Sequence, residues 1–131
     1  MTEWIIPCNI KYYDVVGAFK KLKRIDWKQS VKNISVNDIV YIYVGLPYSS
    51  IKYKCLVTKV NLNSIEIDDS EFVINGDQYM NYGNHMELEF IKEYRDNVLP
   101  LSILTEHGMK GRIQGPRRAD SEISRLISSM S

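Results

Sequence analysis

The sequence predicts an α+β domain: a mixed β-barrel or strongly curved sheet of five or six strands with flanking helices. Two observations predict it. Apolar segments of strand length recur from residue 3 to residue 94, and helical periodicity appears only after the first strand and near the C-terminus. The chain has 131 residues and 44% hydrophobic content, enough for one domain (1–131) that buries roughly two thirds of its unfolded surface. Disorder, collagen and coiled coil are excluded on the same grounds, and no repeat or linker interrupts the chain.

Glu3 to Cys8 is a short apolar run suited to a buried strand. From Tyr12 to Leu22, Tyr12, Val15, Val16, Phe19 and Leu22 recur at steps of three and four, the pattern of an amphipathic helix. Gly17 inside it costs about 1 kcal/mol relative to alanine, which calls for close packing or a shifted boundary. Ile25 to Asn37 shows no regular period and reads as a connecting loop holding Trp27 and Lys28. Asp38 to Val44 carries the strongest strand signal, entered at Asn37-Asp38 and left at Gly45-Leu46-Pro47. Ile51 to Val60 is a returning strand, Ile65 to Ile67 and Phe72 to Ile74 are shorter candidates, and Met86 to Tyr94 is a half-buried strand. Pro100 to His107 reads as a helix stopped by Gly108, and Asp120 or Ser121 caps a last helix through Ile123, Leu126 and Ile127. Between these two helices, Arg112 to Gln114 has short-strand character inside a glycine- and arginine-rich loop.

Cys8 and Cys55 lie in apolar strand segments and read as buried, reduced thiols. With His85 and His107 they lack the close pair spacing of a structural zinc site, and Asp68, Asp69 and Glu71 lack the spaced ligands of a calcium loop. Gly111 and Gly115 match neither a dinucleotide fingerprint nor a P-loop. No catalytic set emerges, so the expectation is a non-enzymatic protein without metal or cofactor. No apolar run approaches the roughly 18 residues of a membrane span, and no signal-peptide pattern opens the chain; a cytoplasmic protein with no membrane partner is expected.

Net charge is +1, but it is segregated. Residues 10–60 carry ten Lys/Arg against three Asp/Glu, residues 61–99 carry two against nine, and residues 100–131 carry five against three. If the basic segments share a face, that face attracts phosphate; otherwise the charges merely solvate the exterior. Trp4, Tyr12, Tyr13, Trp27, Tyr41, Tyr43, Tyr48 and Tyr53 are interleaved with Lys11, Lys28, Lys52 and Lys54 in the basic half. Such rings stack on bases at about 1–3 kcal/mol each while lysines take phosphates. Trp4, Tyr41 and Tyr43 read as core residues, whereas Trp27, in a loop beside Lys28, is open to packing or binding.

In this order, Trp4-Ile-Ile-Pro-Cys-Asn9, a helix, Trp27-Lys28, Asn37-Asp-Ile-Val-Tyr-Ile-Tyr43, Ile51 to Val60, Met86 to Ile91, Leu99-Pro-Leu101 and Ile113-Gln-Gly-Pro-Arg117 resemble the EVE domain of the PUA-like superfamily, over nearly the whole chain. The sequence departs from it in having Asn37 where a glycine commonly precedes the aspartate, and in an excursion from Asn75 to Asn84 with no placed equivalent. The resemblance implies a PUA-like pseudo-barrel related to readers of methylated adenine. It implies a nucleic-acid-binding module, for DNA or RNA, that reads a modified base flipped into an aromatic pocket, with a separate effector protein as a further partner. Carried over residue by residue, Asn9 would bond a base edge and Trp27 would stack on the base. Val44, Gly45, Leu46 and Tyr48 would shape the pocket mouth, and Gln114, Arg117 and Arg118 would contact base or phosphate, while Lys28, beside Trp27, is read from the residues themselves as a phosphate contact. The alternative is a small-molecule or protein-interaction module using the same pocket without nucleic acid.

Overall fold

Strand segments this short bury their apolar faces only by pairing with partners distant in sequence, so the architecture is decided by register. The computed structural model describes residues 1–63, 67–74, 84–111 and 113–130. The strands are β1 (Glu3–Cys8), β2 (Arg24–Lys28), β3 (Ile39–Val44), β4 (Ser50–Leu62), β5 (His85–Glu93) and β6 (Arg117–Arg118); the helices are α1 (Val15–Lys21), α2 (Leu101–Glu106) and α3 (Ser121–Ser129). All six strands form one sheet in the order β2-β5-β4-β3-β1-β6. β1 runs parallel to β3, with Glu3 opposite Ile39 and Cys8 opposite Val44, and every other pair is antiparallel. The α+β class is as predicted, but the sheet is open rather than a closed barrel, with β2 and β6 at its two edges among the described residues.

Alternation along β1 and β3 divides the core in two. Trp4, Ile6, Cys8, Val40, Ile42 and Val44 pack on one face with Val15 and Ala18 of α1. Ile5, Ile39, Tyr41 and Tyr43 pack on the other with Leu104 of α2 and Ile123, Leu126 and Ile127 of α3. Trp4, Tyr41 and Tyr43 are thus core rings, and both cysteines are buried free thiols, as expected.

Local chemistry explains the helix ends. α1 begins at Val15 rather than Tyr12 because Tyr12 and Tyr13 are held in a turn by the Asn9 carbonyl, and Asp14 Oδ1 accepts the Gly17 N–H as the N-cap. A Cβ on Gly17 would lie 2.3 Å from Asp14 Oδ2, so the glycine makes room for its own helix's cap. Asp120 caps α3 by accepting the Ile123 N–H at 2.9 Å.

Three local expectations are corrected. Residues 24–28 are an edge strand, not a loop: Arg24-Ile25-Asp26-Trp27-Lys28 alternates in period two and pairs with β5, burying Ile25 and Trp27. Phe72 lies in a 3-10 turn (Ser70–Phe72), and Val73 makes only an isolated bridge to Tyr13; part of the Ile65–Ile67 candidate lies outside the described residues. The short strand expected at Arg112 to Gln114 falls instead at Arg117–Arg118, with Arg112 outside the described residues.

Candidate functional site

The parallel pair β1 and β3 ends at one level, and past Cys8 and Val44 the two chains diverge. β1 turns at Asn9 towards α1, while β3 enters the turn Gly45-Leu46-Pro47-Tyr48. One further bond, Gly45 N–H to the Cys8 carbonyl at 3.0 Å, extends the ladder before the chains part. The gap beyond it is a cavity of about 580 Å³. Pro7, Cys8 and Asn9 form one wall, Gly45 and Leu46 another, Lys11 and Tyr12 a third, and Ile113 with Gln114 closes the side; Tyr43 also lines it.

The polar groups around this cavity are positioned by backbone. Asn9 Oδ1 accepts the Lys11 N–H at 2.9 Å, and the Asn9 carbonyl accepts from Tyr12 and Tyr13 at 3.0 and 3.2 Å. The identity of that donor fixes which end of the amide is oxygen, so Nδ2 is the end available as a donor to a ligand. Burial pushes the Tyr43 phenol above its ordinary value, and a hydrogen bond with Ser49 offsets part of that rise. Burial, with a smaller contribution from Asp14, pushes the Cys8 thiol up to about 12. The Cys8 thiol in the wall is therefore neutral at physiological pH. The described residues contain no cluster of three or more His, Cys, Asp or Glu side chains placed to hold a metal ion.

Of the residues singled out by sequence, Asn9, Gly45, Leu46 and Gln114 meet at this cavity. Val44 is fully buried directly beneath it, and Tyr48 leans back onto the core with the Lys52 ammonium 5.1 Å from its ring centre. Arg117 and Arg118 lie on β6, opposite Ile5 and Trp4. That is three to four residues back along β1 from Cys8, about 10–13 Å at strand rise. Arg117 donates to the Lys110 carbonyl at 2.9 Å, and Arg118 covers the Trp4 ring at 5.4 Å. Lys28 sits at the end of β2, on the far edge of the sheet.

Trp27 is the main correction. Its indole is 6% exposed, meets Tyr13 edge to face at 5.4 Å and belongs to the core; it does not line the cavity. A strand, rather than a loop, carries it, and period-two alternation turns it inward between Asp26 and Lys28. Among the described residues, the rings that do reach the cavity are Tyr12 and Tyr43. Tyr12 and Lys11 were legible as neighbours of Asn9. Tyr43 was not, since in sequence only its place one residue from the end of β3 distinguishes it from Tyr41, which is likewise buried.

No protein-family model and no curated protein matches the sequence. Solved structures do match in fold. An ASCH protein from Zymomonas mobilis superposes with a TM-score of 0.69 at 10% identity, covering 98% of this chain and 95% of its own. A hypothetical protein from Leishmania major gives 0.66 at 17%, covering 99% and 94%. Human THYN1, in a complex with DNA containing 5-methylcytosine, gives 0.66 at 10%, covering 98% and 96%. The chain shares its fold with these ASCH and THYN1 proteins.

Proposed function

We propose that this PUA-like domain is a nucleic-acid-binding module that takes one modified base, methylated or similar, out of its strand and into the cavity beyond β1 and β3. The observation that carries the reading is the convergence of Asn9, Gly45, Leu46 and Gln114 on one opening that also holds two tyrosine rings and a lysine. Human THYN1, of the same fold, bound to 5-methylcytosine DNA supports it. The volume falls within the roughly 300–1,000 Å³ of ligand clefts.

Extruding a base costs a few kcal/mol, which stacking and edge hydrogen bonds must return. In this reading Tyr12 stacks on the base in the place expected of Trp27, and Tyr43 closes the floor. Asn9 Nδ2 and the Gln114 amide meet the base edge, and Gly45 allows the base close to the strand end. Lys11 takes the adjacent phosphate, and Arg117, Arg118 and Lys28 contact the backbone further out. A methyl group adds only about 0.8 kcal/mol of burial, so discrimination depends on a dry wall such as the buried Ile113 provides.

Fluorescence anisotropy with labelled oligonucleotides carrying plain or modified bases tests this. Tryptophan quenching is unsuited, because Trp4 and Trp27 are both buried. Tyr12→Ala is expected to lower affinity for the cognate oligonucleotide about tenfold, one lost stack, while Asn9→Ala narrows the gap between modified and plain bases. A folded Tyr12→Ala protein that titrates like wild type removes that ring from the site.

A further inference from the structure

Leu46 is 82% exposed, the most solvent-exposed large apolar side chain among the described residues after the N-terminal Met1. Its neighbourhood makes this more than a stray surface leucine. The turn that carries it is pinned at its base: Gly45 N–H donates to the Cys8 carbonyl at 3.0 Å, and the Gly45 carbonyl accepts from Tyr48 at 3.0 Å and Ser49 at 3.2 Å. Tyr48 is packed against the core, and the pyrrolidine of Pro47 fixes the next φ. The result is a stiff apolar tip on the lip of the cavity, facing water at a position where solvation alone would favour a polar residue.

A base that leaves a duplex for this cavity leaves a gap in the stack beside the lip. Proteins that unstack DNA commonly insert an apolar wedge, leucine included, between neighbouring bases. We infer that Leu46 is that wedge: it enters the space vacated by the extruded base, so that this domain acts on base-paired nucleic acid and not only on single strands. The inference rests on the base-reading function proposed above, and adds to it the duplex substrate and the residue that makes the duplex accessible. The geometry suits the role, because a wedge acts only if its backbone does not yield, and the three bonds at Gly45 anchor this turn on both sides.

The experiment compares wild type, Leu46→Ala and Leu46→Phe on one modified oligonucleotide, both as a single strand and as a duplex. Binding is read by anisotropy and extrusion by the emission of 2-aminopurine beside the target. Because the side chain is exposed, truncation removes no core contact. Leu46→Ala is expected to weaken duplex binding about tenfold while changing single-strand binding less than about twofold, with Leu46→Phe restoring the duplex and a mismatch opposite the target rescuing Leu46→Ala. Equal losses on both forms would make Leu46 a pocket wall and overturn the wedge. So would wild-type binding to the single strand alone, which leaves the base pocket standing. A wild type that binds neither form overturns the base-reading function, and the wedge with it.

Discussion

Asp38 shows how much one side chain at a strand entrance can carry. It is 4% exposed and accepts three hydrogen bonds: from the Thr2 N–H at 2.9 Å, the Trp4 indole N–H at 3.0 Å and the Ser35 N–H at 2.9 Å. It thereby ties the start of β1 and the approach to β3 into the register that defines the parallel pair. Burial alone would raise its pKa, but the bonds from Thr2, Trp4 and Ser35, with the nearby N-terminal ammonium, hold it below the usual carboxylate value. Its contribution is therefore present above the ordinary aspartate pKa and lost as pH falls through the depressed one. Asp38→Ala orphans all three donors and is expected to cost roughly 2–4 kcal/mol in urea denaturation at neutral pH, with Asp38→Asn milder. A loss under about 0.5 kcal/mol would show that water replaces the carboxylate. The preceding Asn37, unusual against the EVE pattern, sits at φ 77°, a left-handed conformation that glycine adopts freely and asparagine tolerates better than most.

At the scale of elements, β2 was the hardest to read and the most consequential. Its alternation is in the sequence, yet with charges at Arg24, Asp26 and Lys28 it looks like solvated loop. Tertiary structure accounts for Asp26, which is buried with its carboxylate 2.7 Å from His85 Nδ1 on β5. Beside it, Asp69 Oδ2 accepts the Tyr13 hydroxyl at 2.5 Å and the Asp26 N–H at 3.3 Å, which joins the 3-10 turn to the segment before α1 and to β2. Burial raises the Asp69 pKa above its ordinary value, more than those bonds lower it. The sign follows: the buried charge costs stability at neutral pH, and the cost is relieved as pH falls from the raised pKa towards the ordinary one. Asp69→Asn keeps an acceptor for both donors and removes the charge. Thermal melts should place it above wild type at pH 7, with the gap closing as pH approaches the ordinary carboxylate range. A mutant that melts lower at pH 7 would mean the charge-assisted bonds outweigh burial.

Across the whole molecule, the segregation of charge along the chain is in part folded back on itself. Lys21 meets Glu71 at 3.3 Å, Arg24 meets Glu89 at 3.1 Å, and Lys52 meets Glu93 and Asp96 at 3.3 and 2.7 Å, each joining the basic segment to the acidic one. The exposed Lys21 pair is worth little, but Lys52 is buried and would be costly without its carboxylates. These pairs offset three of the ten Lys/Arg of residues 10–60 and so subtract from any phosphate-attracting field. Among the described residues, Lys11 lines the cavity and Arg117 and Arg118 lie along β6. Alanine at Arg117 and Arg118 together should weaken modified and plain oligonucleotides alike and lower the slope of log affinity against log salt by about 1 to 2. Selective loss for one base would assign an arginine to the pocket, and a flat salt dependence in wild type would favour an uncharged small ligand instead.

What the chain determined by itself is what chemistry within a few residues decides. Strand runs at β1, β3 and β5, the cap at Asp120, the buried thiols and the order of motifs resembling a PUA-like domain were all legible, because periodicity and capping act locally. Only the tertiary structure decided which aromatic faces the cavity and which faces the core. That choice depends on β1 lying parallel to β3 across 36 residues, on Trp27 lying in a strand paired with β5, and on Ile113 and Gln114 arriving from the far end of the chain. A ring on a strand has two directions to point, and the neighbours that make one of them interior are brought there by folding, not by sequence proximity.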